Sequence, residues 1–324
     1  MDSISIIRTP IESELEAFKE LYDSSLSSSN TLLDSVVAHI RQRSGKMMRP
    51  ILVLLVARLY GVVSPATLHA AVSLELLHNA SLVHDDVVDE STERRGQLSV
   101  NAIFNNKVAV LTGDYLLATS LVHAELTNSH QIIRLVSSLG QDLADGELLQ
   151  LSNVSNHSFS ETVYFDVIRK KTAALFAACT EAAAYSVGVS EEEVKLARLL
   201  GEYIGICFQI KDDIFDYFDS KEIGKPIGND MLEGKLTLPV LYALNRANDN
   251  QAAEIALKVK EGTATLAEIA RLIAFTKENG GIEYAVRTMN AYKQKAFGLL
   301  ASLPDSAICV ALRSYLDYVV DREK

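Results

Sequence analysis

Tryptophan is absent from the chain, proline occurs only six times in 324 residues, and cysteine three times. Few prolines and a modest 16 glycines leave little to interrupt regular structure, and abundant alanine and leucine favour helix over sheet. The cysteines, Cys179, Cys207 and Cys309, lie in helical patterns without metal-ligand spacing. They read as small core hydrophobes of a reducing cytosol, which excludes a disulfide scaffold. Basic residues are in deficit: 31 Lys and Arg against 42 Asp and Glu give a formal charge of -11. Neither nucleic acid nor an anionic membrane surface is therefore an expected partner. No uninterrupted apolar run is long enough to span a bilayer, and Met1–Arg8 lacks the basic start and apolar core of a signal peptide. A soluble, cytoplasmic protein is expected, with one large domain over residues 1–324.

Strand periodicity, low-complexity linkers and solenoid repeats are missing too, so the pattern predicts an all-α bundle around one central cavity. Helices are predicted from Ile11 to Leu26 and Leu32 to Arg41, then from Ile51 to Tyr60 with Pro50 in the first turn. Ser64-Pro65 reads as a cap opening a helix to Asp85, and an apolar helix is expected to begin after Gly113. Ser158 to Glu161, Ser190 to Glu193 and Thr265 to Glu268 have capping-box spacing. The later helices, beyond Pro239, look like packing and surface.

What is present is acid in an unusual place. Asp85, Asp86 and Asp89 close the helix from Ser64, where Asp85 and Asp89 share a face and repel by about 0.2–0.5 kcal/mol while opposing the helix dipole. A bound cation reverses both penalties; a solvated acidic helix end gives the same string. The pattern recurs at Asp212, Asp213 and Asp216, which end the helix from Glu191, and the repetition argues against chance. Each copy has basic neighbours: Arg94 and Arg95 after the first, Lys225 and Lys235 after the second. Carboxylates for hard cations beside fixed positive charge describe a site for metal-bridged phosphate.

A second basic group lacks acids of its own. Lys46 and Arg49 lie just before a predicted helix N-terminus, where amide donors favour an anion, although loop cations are usually solvent contacts. His78 lies seven residues before Asp85 on nearly the same face, where a helical histidine is more often a core residue. Arg169, Lys170 and Lys171 interrupt an otherwise apolar helix and need partners or a route to solvent. Two acid clusters facing each other could clamp Mg²⁺ on a diphosphate, and if that diphosphate leaves, the carbon left behind must be a stabilised, allylic cation. A metal-free diphosphate held by Lys46, Arg49, His78 and Arg95 would position the nucleophile for a condensation. No serine or cysteine nucleophile with a base is evident, so covalent catalysis is unsupported.

These strings resemble the trans-isoprenyl diphosphate synthases, or polyprenyl synthetases, over nearly the whole chain. Gly45-Lys46-Met47-Met48-Arg49-Pro50 is similar to that family's GKxxRP, Asp85 to Gly96 to its DDxxDxxxxRRG, Asp212 to Asp216 to its second DDxxD, and Gly224 to Pro239 to its GKPxGxDxxxGKxTLP. The resemblance implies the isoprenoid synthase type I fold, a homodimer and three Mg²⁺ ions per active site. It implies Asp85, Asp89 and Asp212 as metal ligands, with Asp86, Asp213 and Asp216 in support. By the same resemblance Arg94, Lys171, Thr172, Gln209, Lys225 and Lys235 hold the allylic diphosphate. Gly45, Lys46, Arg49, His78 and Arg95 hold isopentenyl diphosphate, and released pyrophosphate takes the final proton. Arg322-Glu323-Lys324 is less basic than in some relatives and is given no role.

Short-product members usually carry a bulky aromatic four or five residues before the first Asp, where Ser81 and Ala80 stand here. An open tunnel, floored by Leu77, Leu74 and side chains around Leu143 to Leu149, predicts a long-chain product nearest octaprenyl, suited to quinone side chains. Alternatives are a geranylgeranyl or farnesyl diphosphate synthase, a class I terpene cyclase, or a non-catalytic subunit of a heteromeric synthase. Intact acids and bases count against the last, and the lack of tryptophan counts against the cyclase.

Overall fold

The computed structural model describes residues 3–42, 45–94, 96–154, 158–218, 227–301, 303 and 306–322. Helices dominate, as composition predicts, and two compact units are formed. The first comprises Met1–Gln141, Leu175–Gly201 and Leu299–Tyr318; the second comprises Asp142–Ala174, Glu202–Gly298 and Val319–Lys324.

In chain order the first segment carries α1 (Ser3–Arg8), α2 (Glu12–Ser25), α3 (Thr31–Gln42), α4 (Met48–Tyr60) and α5 (Pro65–Val88). A two-stranded ribbon follows, β1 (Glu93–Arg94) against β2 (Gln97–Leu98), then α6 (Val100–Phe104), α7 (Asn106–Leu126) and α8 (His130–Val154). The remaining helices are α9 (Glu161–Ile168), α10 (Ala174–Ser186), α11 (Glu191–Phe215), α12 (Asn229–Leu232), α13 (Leu238–Ala247), α14 (Asn250–Lys260), α15 (Leu266–Glu278), α16 (Gly281–Ala301) and α17 (Ala307–Asp321).

Within the first unit α5 is the central rod. Ser64 caps it through a reciprocal pair with Thr67, and Pro65 takes the first turn, where its missing N–H costs nothing. Along its length α5 packs on α7 and α4. It buries residues on most of its circumference, including Ala70, Leu74, Leu77 and Ala80, so it is a core helix rather than an amphipathic surface one. The helix continues through Asp85 and Asp86 to Val88, three residues past the predicted end.

The structure departs from expectation at Gly113 and at the ribbon. Gly113 lies inside α7 rather than ahead of it, because the helix already starts at Asn106 under an Asn105 cap. Its lack of a side chain serves packing: a Cβ at Gly113 would sit 2.2 Å from His84 Nε2 of α5. The ribbon of β1 and β2 is strand where none was expected, since two residues per strand are too few to leave an alternating pattern.

In the second unit a hydrophobic core gathers Tyr217, Met231, Val240, Leu244, Val259, Leu272 and neighbours beneath α12 to α15. Thr265 opens α15 with the predicted capping box. The cap at the start of α9 is Ser160 and not Ser158, its hydroxyl accepting from Val163 N. Beyond α9, residues Arg169–Ala173 widen into a π-helical turn, a local defect common at functional sites. Gly146 of α8 allows close approach there, since a Cβ would lie 3.0 Å from Lys171 N.

Candidate active site

In the first unit, the end of α5 presents Asp85 and Asp89 on one face, both partly exposed, and Asp89 N donates to Asp85 O at 2.8 Å. Asp86 lies about a quarter of the way round the helix from them and is buried, 1% exposed. Its carboxylate accepts from Arg94 Nε at 2.6 Å, so the first arginine of the RRG string holds the cluster's middle acid. Asn101 Nδ2 reinforces the turn by donating to Asp86 O at 3.2 Å and to Ser91 O at 3.0 Å. Arg95 lies outside the described residues.

The basic segment before α4 belongs to the same unit. Lys46 Nζ donates to the Tyr318 hydroxyl and lies 5.1 Å from that ring's centroid, while Lys46 O accepts from Arg8 Nη2 at 3.0 Å. Met47 adopts a left-handed φ of 53°, and Tyr315 OH donates to Met48 O at 3.0 Å, which fixes the entry into α4. Arg49 sits over the Phe176 ring at 5.0 Å. Gly45 and Lys46 are exposed and Arg49 partly so, whereas His78 on α5 is buried. Ser81 spends its hydroxyl on His78 O at 2.8 Å, and Ala80 is buried beside it.

The second acid motif lies in the second unit, at the end of α11, and its three acids meet three settings. Asp212 accepts from Arg322 Nη2 at 2.5 Å. Asp213 is 2% exposed and accepts from Tyr164 OH at 2.5 Å and from Gln209 Nε2 at 2.8 Å. Asp216 accepts from Asp230 N at 3.3 Å, and its carbonyl accepts from Gly228 N at 2.9 Å. Burial raises the Asp213 carboxyl to about 7, helped by Asp212 and Asp216 and opposed by its two donors. Asp230 is driven well above the carboxylate range, by burial first and then by Asp216 and Asp213.

The π-helical turn faces this motif with its polar residues. Thr172 Oγ1 donates to Gln209 Oε1 at 2.7 Å, which orients the carboxamide so that its N–H reaches Asp213. Lys170 pairs with Asp145 and Lys171 with Glu147, both acids coming from α8. The sequence's basic interruption thus has partners and is not simply led to solvent. Lys235 pairs with Glu233 at 2.6 Å. Lys171, Thr172, Gln209, Asp213, Asp230 and Lys235 line one cavity of about 180 Å³. Lys225, with Gly224, lies outside the described residues.

Sequence reasoning missed Tyr164, Glu147 and Arg322 as partners of the motif residues. Only Glu147 had a signal, the need of Lys170 and Lys171 for counter-charge. It also missed Lys260, buried on the cavity wall with Nζ donating to Ser158 O at 3.0 Å.

The chain and its architecture have close counterparts. Residues 30–276 match the polyprenyl synthetase family. Octaprenyl diphosphate synthase of Haemophilus influenzae is 35% identical, over 99% of this chain and 97% of that protein. The crystal structure of geranylgeranyl pyrophosphate synthase from Bacteroides thetaiotaomicron is 75% identical, with a TM-score of 0.89 over 99% of this chain and 100% of that one. Polyprenyl synthase from Caulobacter crescentus CB15, complexed with calcium and isoprenyl diphosphate, is 31% identical, with a TM-score of 0.93 over 99% and 98% of the two chains. All-α helices of the isoprenoid synthase fold with paired acid motifs define the class, and the chain belongs to the polyprenyl synthetase family. It is an enzyme of that family, a trans-prenyl diphosphate synthase that transfers prenyl groups.

Proposed function

We propose that this enzyme condenses an allylic diphosphate, farnesyl or geranylgeranyl, with successive isopentenyl diphosphates to a long-chain all-trans polyprenyl diphosphate near octaprenyl. The observation that carries this reading is the shared wall of one cavity: Lys171, Thr172, Gln209 and Lys235 stand together beside Asp213 of the second acid motif. Incubating the protein with farnesyl diphosphate, labelled isopentenyl diphosphate and Mg²⁺ tests it. Chain-extended diphosphate is expected. Cyclic hydrocarbon would instead indicate a terpene cyclase, and no turnover a silent subunit.

Magnesium is the family's general metal, and the donor set here fits it. Among the described residues no three His, Cys, Asp or Glu side chains form a closed metal cage. Mg²⁺ takes one or two carboxylates and completes its shell with water and substrate phosphate. Asp85, Asp89 and Asp212, each partly exposed on an α5 or α11 end, are the ligands in this reading. When bound, the metal supplies positive charge against the leaving diphosphate.

The chain's own residues then have distinct tasks. Arg94, Lys171, Thr172, Gln209, Lys225 and Lys235 bind and orient the allylic diphosphate and stabilise the charge it gains as the carbon–oxygen bond breaks. Gly45, Lys46, Arg49, His78 and Arg95 hold isopentenyl diphosphate so that its double bond meets the cation, and this orientation supplies much of the rate. Asp86, Asp213 and Asp216 support the metal ligands of their own motifs through waters or neighbouring contacts. Apolar residues of α5, Leu77 and Leu74 among them, keep water from the cation and the growing chain.

Product length turns on Ala80 and Ser81. Both are small, and the Ser81 hydroxyl is already engaged by its own helix, so neither blocks an apolar tail nor offers it a polar group. Ser81→Phe should shorten the product by several isoprene units, read by chromatography of the dephosphorylated alcohols; an unchanged distribution would remove the tunnel. A geranylgeranyl product is the second reading, favoured by the 75% identity to the Bacteroides protein of that name. The same chromatogram of the unaltered enzyme decides between them.

We read the two units as one catalytic domain in a homodimer, working in the cytoplasm. No helix among the described residues is long and apolar enough to cross a membrane. Exposed Leu111, Leu121, Val122 and Leu126 give α7 an apolar face suited to a second copy of the chain. Sedimentation at micromolar concentration should give twice the chain mass, and a monomer would refute the dimer.

A further inference from the structure

The second acid motif has a cation of its own, and it comes from a part of the sequence to which no role was given. Arg322 follows α17, and its guanidinium is held from several sides. Nη2 donates to Asp212 Oδ1 at 2.5 Å and to Phe208 O at 3.0 Å, while Nε donates to Val319 O at 3.3 Å. The guanidinium carbon lies 3.9 Å from the Phe208 ring centroid and 5.6 Å from that of Phe215. The Arg322 side chain is only 11% exposed, against 40% for Asp212. The arginine is therefore seated on α11 largely by groups other than the carboxylate it touches.

We propose that Arg322 is a positioning residue of the second acid motif: it occupies the metal-binding face of Asp212 until the ion arrives, and so sets how much metal the motif requires. The proposal rests on the reading of Asp212 as a metal ligand. A guanidinium on Asp212 Oδ1 and a divalent ion on the same carboxylate repel one another at such short range. Metal binding therefore competes with the Arg322 contact, and the affinity observed for the ion is reduced by the work of weakening or breaking it. The Phe208 carbonyl and the two rings keep the displaced guanidinium from being stranded. In the metal-free enzyme the same contact neutralises one acid of a crowded group, since Asp212 and Asp216 bear on Asp213, and Asp216 and Asp213 on Asp230. Asp213 and Asp230 carry the burial that makes such crowding costly.

Manganese serves as the probe, titrated alone into the purified full chain while the free ion is counted by its paramagnetic resonance signal. Arg322→Ala should bind Mn²⁺ about threefold to tenfold more tightly than the unaltered enzyme, the range expected for losing a charge-assisted contact that is partly solvated. Arg322→Lys, which keeps the charge but not the planar fork, should fall between the two. Adding Asp212→Ala to either variant should abolish the gain. If Arg322→Ala leaves Mn²⁺ affinity unchanged or weakens it while Asp212→Ala removes a site, the competition is refuted and Asp212 remains a ligand. If Asp212→Ala alone leaves Mn²⁺ binding as it was, the underlying assignment of Asp212 fails. Should Arg322→Ala not fold, the lysine variant alone must bind more tightly than the unaltered enzyme, and equal affinity overturns the proposal.

Discussion

The same five-residue acid string ends two helices, α5 and α11, and the two copies are alike in geometry and unlike in electrostatics. In both, the outer acids lie four residues apart on a partly exposed face, Asp85 with Asp89 and Asp212 with Asp216. In both, the middle acid turns about a quarter of the way round the helix and is buried, Asp86 at 1% and Asp213 at 2%. The settings then diverge. Asp86 is held by the guanidinium of Arg94, whereas Asp213 is held by a phenol and a carboxamide, and burial raises it to about 7. A sequence motif thus fixes which acids face outward, but the protonation of the inward one is decided by whatever distant residue meets it.

The largest expected effect sharpens the likeness. Asp85→Ala and Asp212→Ala should each lower kcat about 10²–10³-fold in a steady-state assay with isopentenyl diphosphate, as removal of a group that stabilises developing charge does. A loss confined to one motif would break the equivalence of the two. Next comes the contrast between the middle acids. Asp86→Ala leaves the Arg94 guanidinium without its carboxylate and should cost about 1–3 kcal/mol in denaturant unfolding. Tyr164→Phe removes only one neutral donor from Asp213 and should cost about 1 kcal/mol.

A further contrast is in pH dependence, measured on metal-free enzyme. Burial raises the Asp213 carboxyl from its ordinary value to about 7 in the fold, so between these values the native state binds the extra proton and stability falls as pH rises. Asp213→Asn should remove that slope, seen as the difference between the two melting profiles from pH 4 to 7. A difference profile that is flat would show that Asp213 is ionised in the fold.

Much of this was legible in the sequence where the cause is local. Ser64-Pro65 and the Thr265 to Glu268 box mark real helix starts because a cap satisfies amides within its own turn. The acid and basic strings were legible because their chemistry is concentrated in short runs. What escaped is non-local. Tyr164 meets Asp213 across 49 residues and Arg322 meets Asp212 across 110, and neither aromatic nor arginine is distinguishable in sequence from its neighbours. Gly113 was misread as a helix boundary for the same reason: its partner is His84, on another helix. The ribbon at Glu93 to Leu98 left no periodicity to find.

The most direct test of the two-motif reading is incorporation of labelled isopentenyl diphosphate into farnesyl diphosphate with Mg²⁺, compared among the unaltered enzyme, Asp85→Ala and Asp212→Ala. Labelled chain-extended diphosphate from the unaltered enzyme, lost to a similar degree in both variants, is the predicted result. Undiminished extension by either variant, or pyrophosphate release from the unaltered enzyme without incorporation of label, would contradict it.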